Sequence, residues 1–261
     1  MRLVRWLLVC FSLTLAIAGH ADETPDCNRT FTLALHEHGL LYSSDTGTGI
    51  DKDIADELIR RSGCKVAVSL MPRSRIWQLI ESGALDFSLS GITNAERDRF
   101  AFFAWYVSNK YYLLVRKDAG VLKHSEFERN AKLKLGVIRS FRYSISANGL
   151  VDRLTAEGRV ANASGLAPLY QLLLANQIQA MIIEPFDYPA IAGSDIRDLT
   201  QTLEFGDDPV LHGLIMSKTA LSATQQMKWH SLIDAMRADG TVLRIFEKYF
   251  APELARVMVN F

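Results

Sequence analysis

The sequence predicts an α/β protein with largely parallel sheets, and three observations carry that reading. Short apolar runs alternate with segments whose apolar residues recur every three to four positions. Turn residues fall at the joints, with Gly63 and Gly83 after two helical segments and Pro72 ahead of one. No internal repeat, low-complexity tract or Gly/Ser-rich linker interrupts the alternation.

The elements follow in order. Residues 31–35 read as a first strand, followed by a polar, Gly-rich loop. A helix starts at Asp51, with Ile50, Ile54 and Leu58 at four-residue spacing. Arg60 and Arg61 suit its negative C-terminal end. Residues 66–70 form a second strand. A helix opened by Pro72 carries Ile76, Leu79 and Ile80 as its stripe, and residues 85–89 form a third strand. Further on, 111–116, 135–138, 180–183 and 213–217 read as strands, and 166–175, 221–237 and 242–250 as helices.

The chain has 261 residues, 49% hydrophobic and 22% charged, enough for a core that needs no metal or disulfide to fold. Residues 1–21 stand apart: Arg2 and Arg5, an apolar run over 6–18, then small residues. This is a secretory signal pattern, short for a membrane span. Val9 before Cys10 is not small, which argues against lipid modification. Without Arg2 and Arg5, 27 basic residues face 29 acidic, a net charge of −2. A nucleic-acid binder would usually carry a basic excess. Export leaves Cys27 and Cys64, each just ahead of a predicted strand. An oxidising compartment and an even count favour a disulfide over two free thiols.

Several phrases resemble one known family. They are Gly49-Ile50-Asp51-Lys52-Asp53-Ile54, Gly83-Ala84-Leu85-Asp86, Ser90-Gly91-Ile92-Thr93-Asn94-Ala95-Glu96-Arg97, Gln179-Ala180-Met181-Ile182-Ile183-Glu184 and Arg237-Ala238-Asp239-Gly240-Thr241. In this order and spacing they resemble the bacterial extracellular solute-binding proteins of family 3. The resemblance implies a two-lobed periplasmic-binding-protein fold of type II, each lobe a mainly parallel sheet flanked by helices. Lobe one would comprise residues 27–108 plus 212–261, and lobe two 109–211. Two crossing strands near Tyr106 to Asn109 and His212 to Gly213 would form a hinge. The protein would be a periplasmic monomer without a cofactor or metal, binding a small carboxylate-bearing ligand and docking on an ABC permease in the inner membrane.

The resemblance also names residues. Arg97 would hold the ligand carboxylate with its planar fork of donors. Ser90, Gly91, Ile92 and Thr93 would form the polar loop before it. Glu184, or Asp187 in its place, would face a ligand ammonium or else pair across the lobes. Ser140, Phe141 and Arg142, after Arg139, depart from the small Gly-Thr or Gly-Ser turn of the family, and the extra arginines either meet a second carboxylate or phosphate on the ligand or are simply exposed. Arg73 lies near a ligand-facing position, with Arg75 and Trp77 on the same helix, and Trp77 reads as packing. Apart from the resemblance, Tyr42, in the first strand-to-helix loop, is placed to stack over ligand. His36 and His38, flanking Glu37, share one face of an extended segment, a weak basis for zinc. Asn162-Ala163-Ser164 is a glycosylation sequon by pattern alone. No phosphate loop or nucleophile elbow is present. Dehydratases and lytic transglycosylases that resemble this fold provide an enzymatic alternative, with Glu184 or Glu37 as general acid. A ligand sensor without transport is the third reading.

Overall fold

Strands β1 (Phe31–Leu35) and β2 (Val66–Leu70) run parallel, in register from Phe31 opposite Val66 to Leu35 opposite Leu70. This computed structural model describes residues 24–261, so the leader expected over 1–21 and Cys10 lie outside the described residues. The parallel register brings together the two segments that precede the strands, and Cys27 is bonded to Cys64 with their Cα atoms 5.0 Å apart.

Helix α1 (Ile50–Ser62) buries Ile50, Ile54 and Leu58 on one stripe. Asp51 and Asp53 lie in its first turn and Arg60 and Arg61 in its last, matching the helix dipole. Gly63 closes it at φ 67, a left-handed cap that costs glycine little. Helix α2 (Arg73–Ser82) buries Ile76, Trp77 and Ile80, together with Arg73. Strand β3 (Phe87–Gly91) begins two residues later than the sequence predicts. The residue before it, Asp86, is occupied as an acceptor for the backbone N–H and hydroxyl of Thr32.

Strand β4 (Ala101–Asn109) then carries the chain out of the first sheet. The second sheet and its helices comprise β5 (Tyr112–Arg116), α3 (His124–Arg129), β6 (Leu135–Ile138), α4 (Ile145–Ala156), β7 (Val160–Ala163), α5 (Leu166–Leu174), β8 (Ala180–Ile183), α6 (Tyr188–Ala192), α7 (Asp195–Leu199) and β9 (Thr200–Glu204). Strand β10 (Val210–Ser217) returns to the first sheet, and α8 (Ala223–Ala238), α9 (Thr241–Phe246) and α10 (Pro252–Val259) complete that lobe. The helix expected over 242–250 is thus shorter. The chain turns after Phe246, and Pro252 opens a further helix at its first turn.

The strand orders are β2-β1-β3-β10-β4 and β7-β6-β8-β5-β9. Both sheets are mixed, with four strands running one way and one strand, β10 or β5, running against them, as the sequence reading of mainly parallel sheets expects. β10 pairs antiparallel with both β3 and β4, and β5 pairs antiparallel with both β8 and β9. The strand that enters each sheet from the other lobe, β5 or β10, runs against the direction set by the βαβ units, while the strand that leaves, β4 or β9, runs with it.

Phe31, Phe87 and Trp229 form the centre of the first core, with ring centroids 4.7 to 5.7 Å apart. The second sheet is packed on both faces, by Leu150 and Leu154 on one side and Leu169 and Leu173 on the other. One residue crosses over. Phe186 follows β8, yet it is fully buried in the first core, 5.9 Å from the Phe250 ring. Its carbonyl accepts from Leu40 N–H at 2.9 Å. Gly39, at φ 47, allows the approach, since a Cβ there would lie 2.3 Å from Phe186 O.

Candidate ligand-binding cleft

The ends of β1, β3 and β8 converge where the two sheets face each other. A cavity of about 20 Å³ lies there, room for about one water. The first lobe supplies His36, Leu41, Arg73, Ser90, Ile92, Arg97 and His212. The second supplies Tyr111, Phe141, Arg142 and Glu184.

Arg97 sits on a single 3-10 turn after β3, held by Asn94, whose side chain accepts from Arg97 N–H at 2.8 Å. Its guanidinium is buried and donates to Ile92 O at 2.9 Å and, across the lobes, to Ser140 O at 3.0 Å. It lies over the Trp77 ring, 3.9 Å from the centroid, and Arg73 lies over the same ring at 5.2 Å. Trp77 is therefore packing of a particular kind, a π face beneath two cations. Arg73 donates to Leu89 O and Ser90 O at 2.9 and 2.8 Å. Among the described residues, neither of them nor Arg142 forms an ion pair with a carboxylate. Burial, with the charges of Arg73 and Arg142 nearby, pushes Arg97 down to about 9.

Ser90 has φ 49 and Ser140 φ 64, left-handed backbone that non-glycine residues rarely adopt. The Ser90 hydroxyl donates to buried Asp51 at 2.6 Å, and Tyr106 donates to the same oxygen at 3.2 Å. Burial raises the Asp51 carboxyl to about 6 against these hydrogen bonds.

A second polar cluster joins the lobes. Glu184 Oε1 is 3.0 Å from His38 Nε2, and Asn109 Nδ2 donates to Oε2 at 2.5 Å. Asp187 Oδ1 is 3.4 Å from the same His38 nitrogen. Burial works against charge on His38, but Asp187 and Glu184 outweigh it and raise its pKa. Burial, with the Glu184 charge, raises Asp187 to about 7. His212 differs. Its Nε2 is 2.8 Å from Tyr111 Oη and its Nδ1 3.0 Å from Val210 O. A neutral ring satisfies both, donating from Nδ1 and accepting at Nε2, and burial pushes it down to about 4.

The structure thus brings together Arg73, Ser90, Ile92, Arg97, Phe141, Arg142 and Glu184 around one cavity, with the Ser140 carbonyl accepting from Arg97 beside it. Glu184 occupies the inter-lobe pairing that the sequence left open. Gly91 is a packing position, where a Cβ would lie 2.3 Å from Ile215. The Thr93 side chain is exposed and bonded to Asp98. Tyr42 packs against the first core, and Leu41 faces the cavity. Arg139 is exposed. His36 and His38 do share a face, their rings stacked 5.6 Å apart, but no metal-ligand cluster exists among the described residues. Sequence reasoning did not single out Leu41, Asn109, Tyr111 or His212 as site residues. The crossing segments on which the last three lie were the available signal.

Two mixed sheets facing each other across a polar, basic cleft define a two-lobed binding protein. The profile of the bacterial extracellular solute-binding proteins, family 3, matches residues 38–252, and the chain belongs to that family. No curated protein matches it. Its fold is similar to that of an ancestral arginine-binding protein bound to arginine, at 19% identity and TM-score 0.71, covering 87% of this chain and 100% of that one. It is also similar to the arginine-, lysine-, histidine-binding protein ArtJ from Geobacillus stearothermophilus (15%, TM-score 0.71, 85% and 95% covered). A histidine kinase sensor domain with similarity to periplasmic binding proteins shares the fold too (15%, TM-score 0.73, 86% and 97% covered).

Proposed function

We propose that this protein captures a small carboxylate-bearing molecule between its lobes and delivers it to an ABC importer from the periplasm. Lobe one would be residues 27–108 with 212–261, and lobe two 109–211. The strongest support is the basic cluster. Three guanidiniums meet at one inter-lobe cavity, none of them ion-paired to a carboxylate among the described residues, and Arg97 spends two of its five donors on backbone carbonyls, one from each lobe.

Such a group favours an anion on arrival. A bidentate carboxylate matches the guanidinium fork, and the buried setting strengthens the attraction. Arg97 already reaches across the lobes, so an anion bound to it would be held by both. The chain passes between sheets at 110–111 and again at 205–209, and short crossings of this kind serve as hinges. Among the described residues no helix is long and apolar enough to cross a membrane.

Thermal-shift screening of the purified protein against amino acids, dicarboxylates and small organic acids tests the reading. A true ligand raises Tm by linkage. No stabilisation by any carboxylate, or turnover of the stabilising compound, would contradict it.

A further inference from the structure

We propose that the cleft selects an organic carboxylate that lacks an ammonium group and carries an apolar body, in preference to the matching α-amino acid. This deepens the function proposed above and rests on it.

The charge balance of the cavity carries the first half. Arg73, Arg97 and Arg142 line it, and among the described residues Glu184 is its only carboxylate. Glu184 is committed within the protein, Oε1 to His38 and Oε2 to Asn109, with His212 Nε2 at 3.7 Å from Oε2. An ammonium would have to share this carboxylate with buried His38 and Asn109, and the Glu184 charge it would seek is already offset by His38, so burying a further cation there is costly. Three other nearby acids do not line the cavity, and Glu37, on the adjoining groove, accepts from Ser44 N–H at 2.9 Å. Asp51 lies behind Ser90 and Tyr106, and Asp187 accepts from Glu184 N–H at 3.1 Å. An α-amino acid would thus bring a cation to a cationic cavity. A site that strands polar groups against the wrong ligand discriminates strongly.

The second half comes from the adjoining groove. A groove of about 680 Å³ shares His36, Arg73 and Phe141 with the cavity. Its walls are mainly apolar, with Leu70 and Met71 on the first lobe and Leu166 and Tyr170 on the second. Leu70 is 47% exposed and contributes apolar surface to this wall. A groove of this size accommodates a branched or aromatic body. His36 stands between the two spaces, buried, with Nδ1 lacking a hydrogen-bond partner. Burial, with Arg73 nearby, keeps its ring neutral. A neutral imidazole can donate to a 2-oxo group or exchange a hydrogen bond with a 2-hydroxy group.

Calorimetric titration with matched pairs tests this. The pairs are 4-methyl-2-oxopentanoate against leucine, phenylpyruvate against phenylalanine, and 2-oxoglutarate against glutamate. The expected result is binding of the first two oxo acids at least tenfold tighter than of their amino acids, and tighter than of 2-oxoglutarate. Leu70→Glu, at an exposed position of the groove wall, should weaken phenylpyruvate at least fivefold while leaving Tm within a few degrees. Amino acids that bind as tightly as their oxo partners would overturn the selectivity and leave the carboxylate-binding reading standing. Unchanged phenylpyruvate affinity in Leu70→Glu would overturn the assignment of the groove. Failure of every carboxylate to bind would overturn both proposals.

Discussion

The Arg97 guanidinium donates to the carbonyl of Ser140 across the gap between lobes at 3.0 Å, and Ser140 presents that carbonyl from a left-handed backbone at φ 64. Arg73 and Ser90 repeat the arrangement within the first lobe, at 2.8 Å and φ 49. Each serine accepts a conformational cost of about 1–2 kcal/mol.

Glycine substitution should separate the two serines. Ser140→Gly relieves the strain at an exposed position and should raise stability by about 0.5–1 kcal/mol, after allowing for the entropy of glycine. Ser90→Gly also removes a hydroxyl from buried Asp51. It should lower stability by about 1–2 kcal/mol, because the buried Asp51 carboxyl loses the shorter of its two hydrogen bonds and keeps only that from Tyr106. Urea unfolding of both variants reads the difference in sign.

The two histidines of the inter-lobe cluster should respond oppositely to pH. His212 is held near 4 against an ordinary 6.5. Below pH 6.5 the unfolded chain takes up a proton that the native ring refuses, so stability falls as pH drops toward 4. The stability difference between wild type and His212→Asn should therefore shift against wild type by roughly 3 kcal/mol over that window. His38 is raised, so its ion pair stabilises fully below pH 6.5 and is lost as pH rises past its folded value. His38→Gln should cost most at pH 6 and least at pH 9 in the same denaturation series.

The disulfide should contribute substantially. Cys27 and Cys64 are separated by 37 positions, and closing a loop of that size restricts the unfolded chain by about 4 kcal/mol. A Cys27→Ser, Cys64→Ser double variant should melt several degrees lower than the oxidised protein and show no further fall with reductant.

Trp77 supports two of the three guanidiniums of the cavity wall, those of Arg73 and Arg97. Trp77→Leu should weaken carboxylate binding about 3- to 30-fold through the lost cation–π attraction. Titration calorimetry against the wild type measures it.

The strands that carry local signals were legible. Apolar runs such as Ala180–Ile183, bounded by turn residues, identify themselves. The antiparallel half of each sheet was not, because β4 meets β10 across about a hundred residues and no local pattern records that pairing. Arg97 was found through the phrase that contains it. The His38–Glu184 pair spans 146 positions, and Asn109 and His212 join it only once the crossing strands are in place. The strained serines were invisible, since serine has no left-handed preference to announce them.

The most direct test is a crystal structure of the protein with its tightest-binding carboxylate. Both carboxylate oxygens should lie within about 3 Å of the Arg97 guanidinium, with residues of both lobes around the ligand. A ligand bound elsewhere, with Arg97 still donating to Ile92 and Ser140 alone, would contradict this.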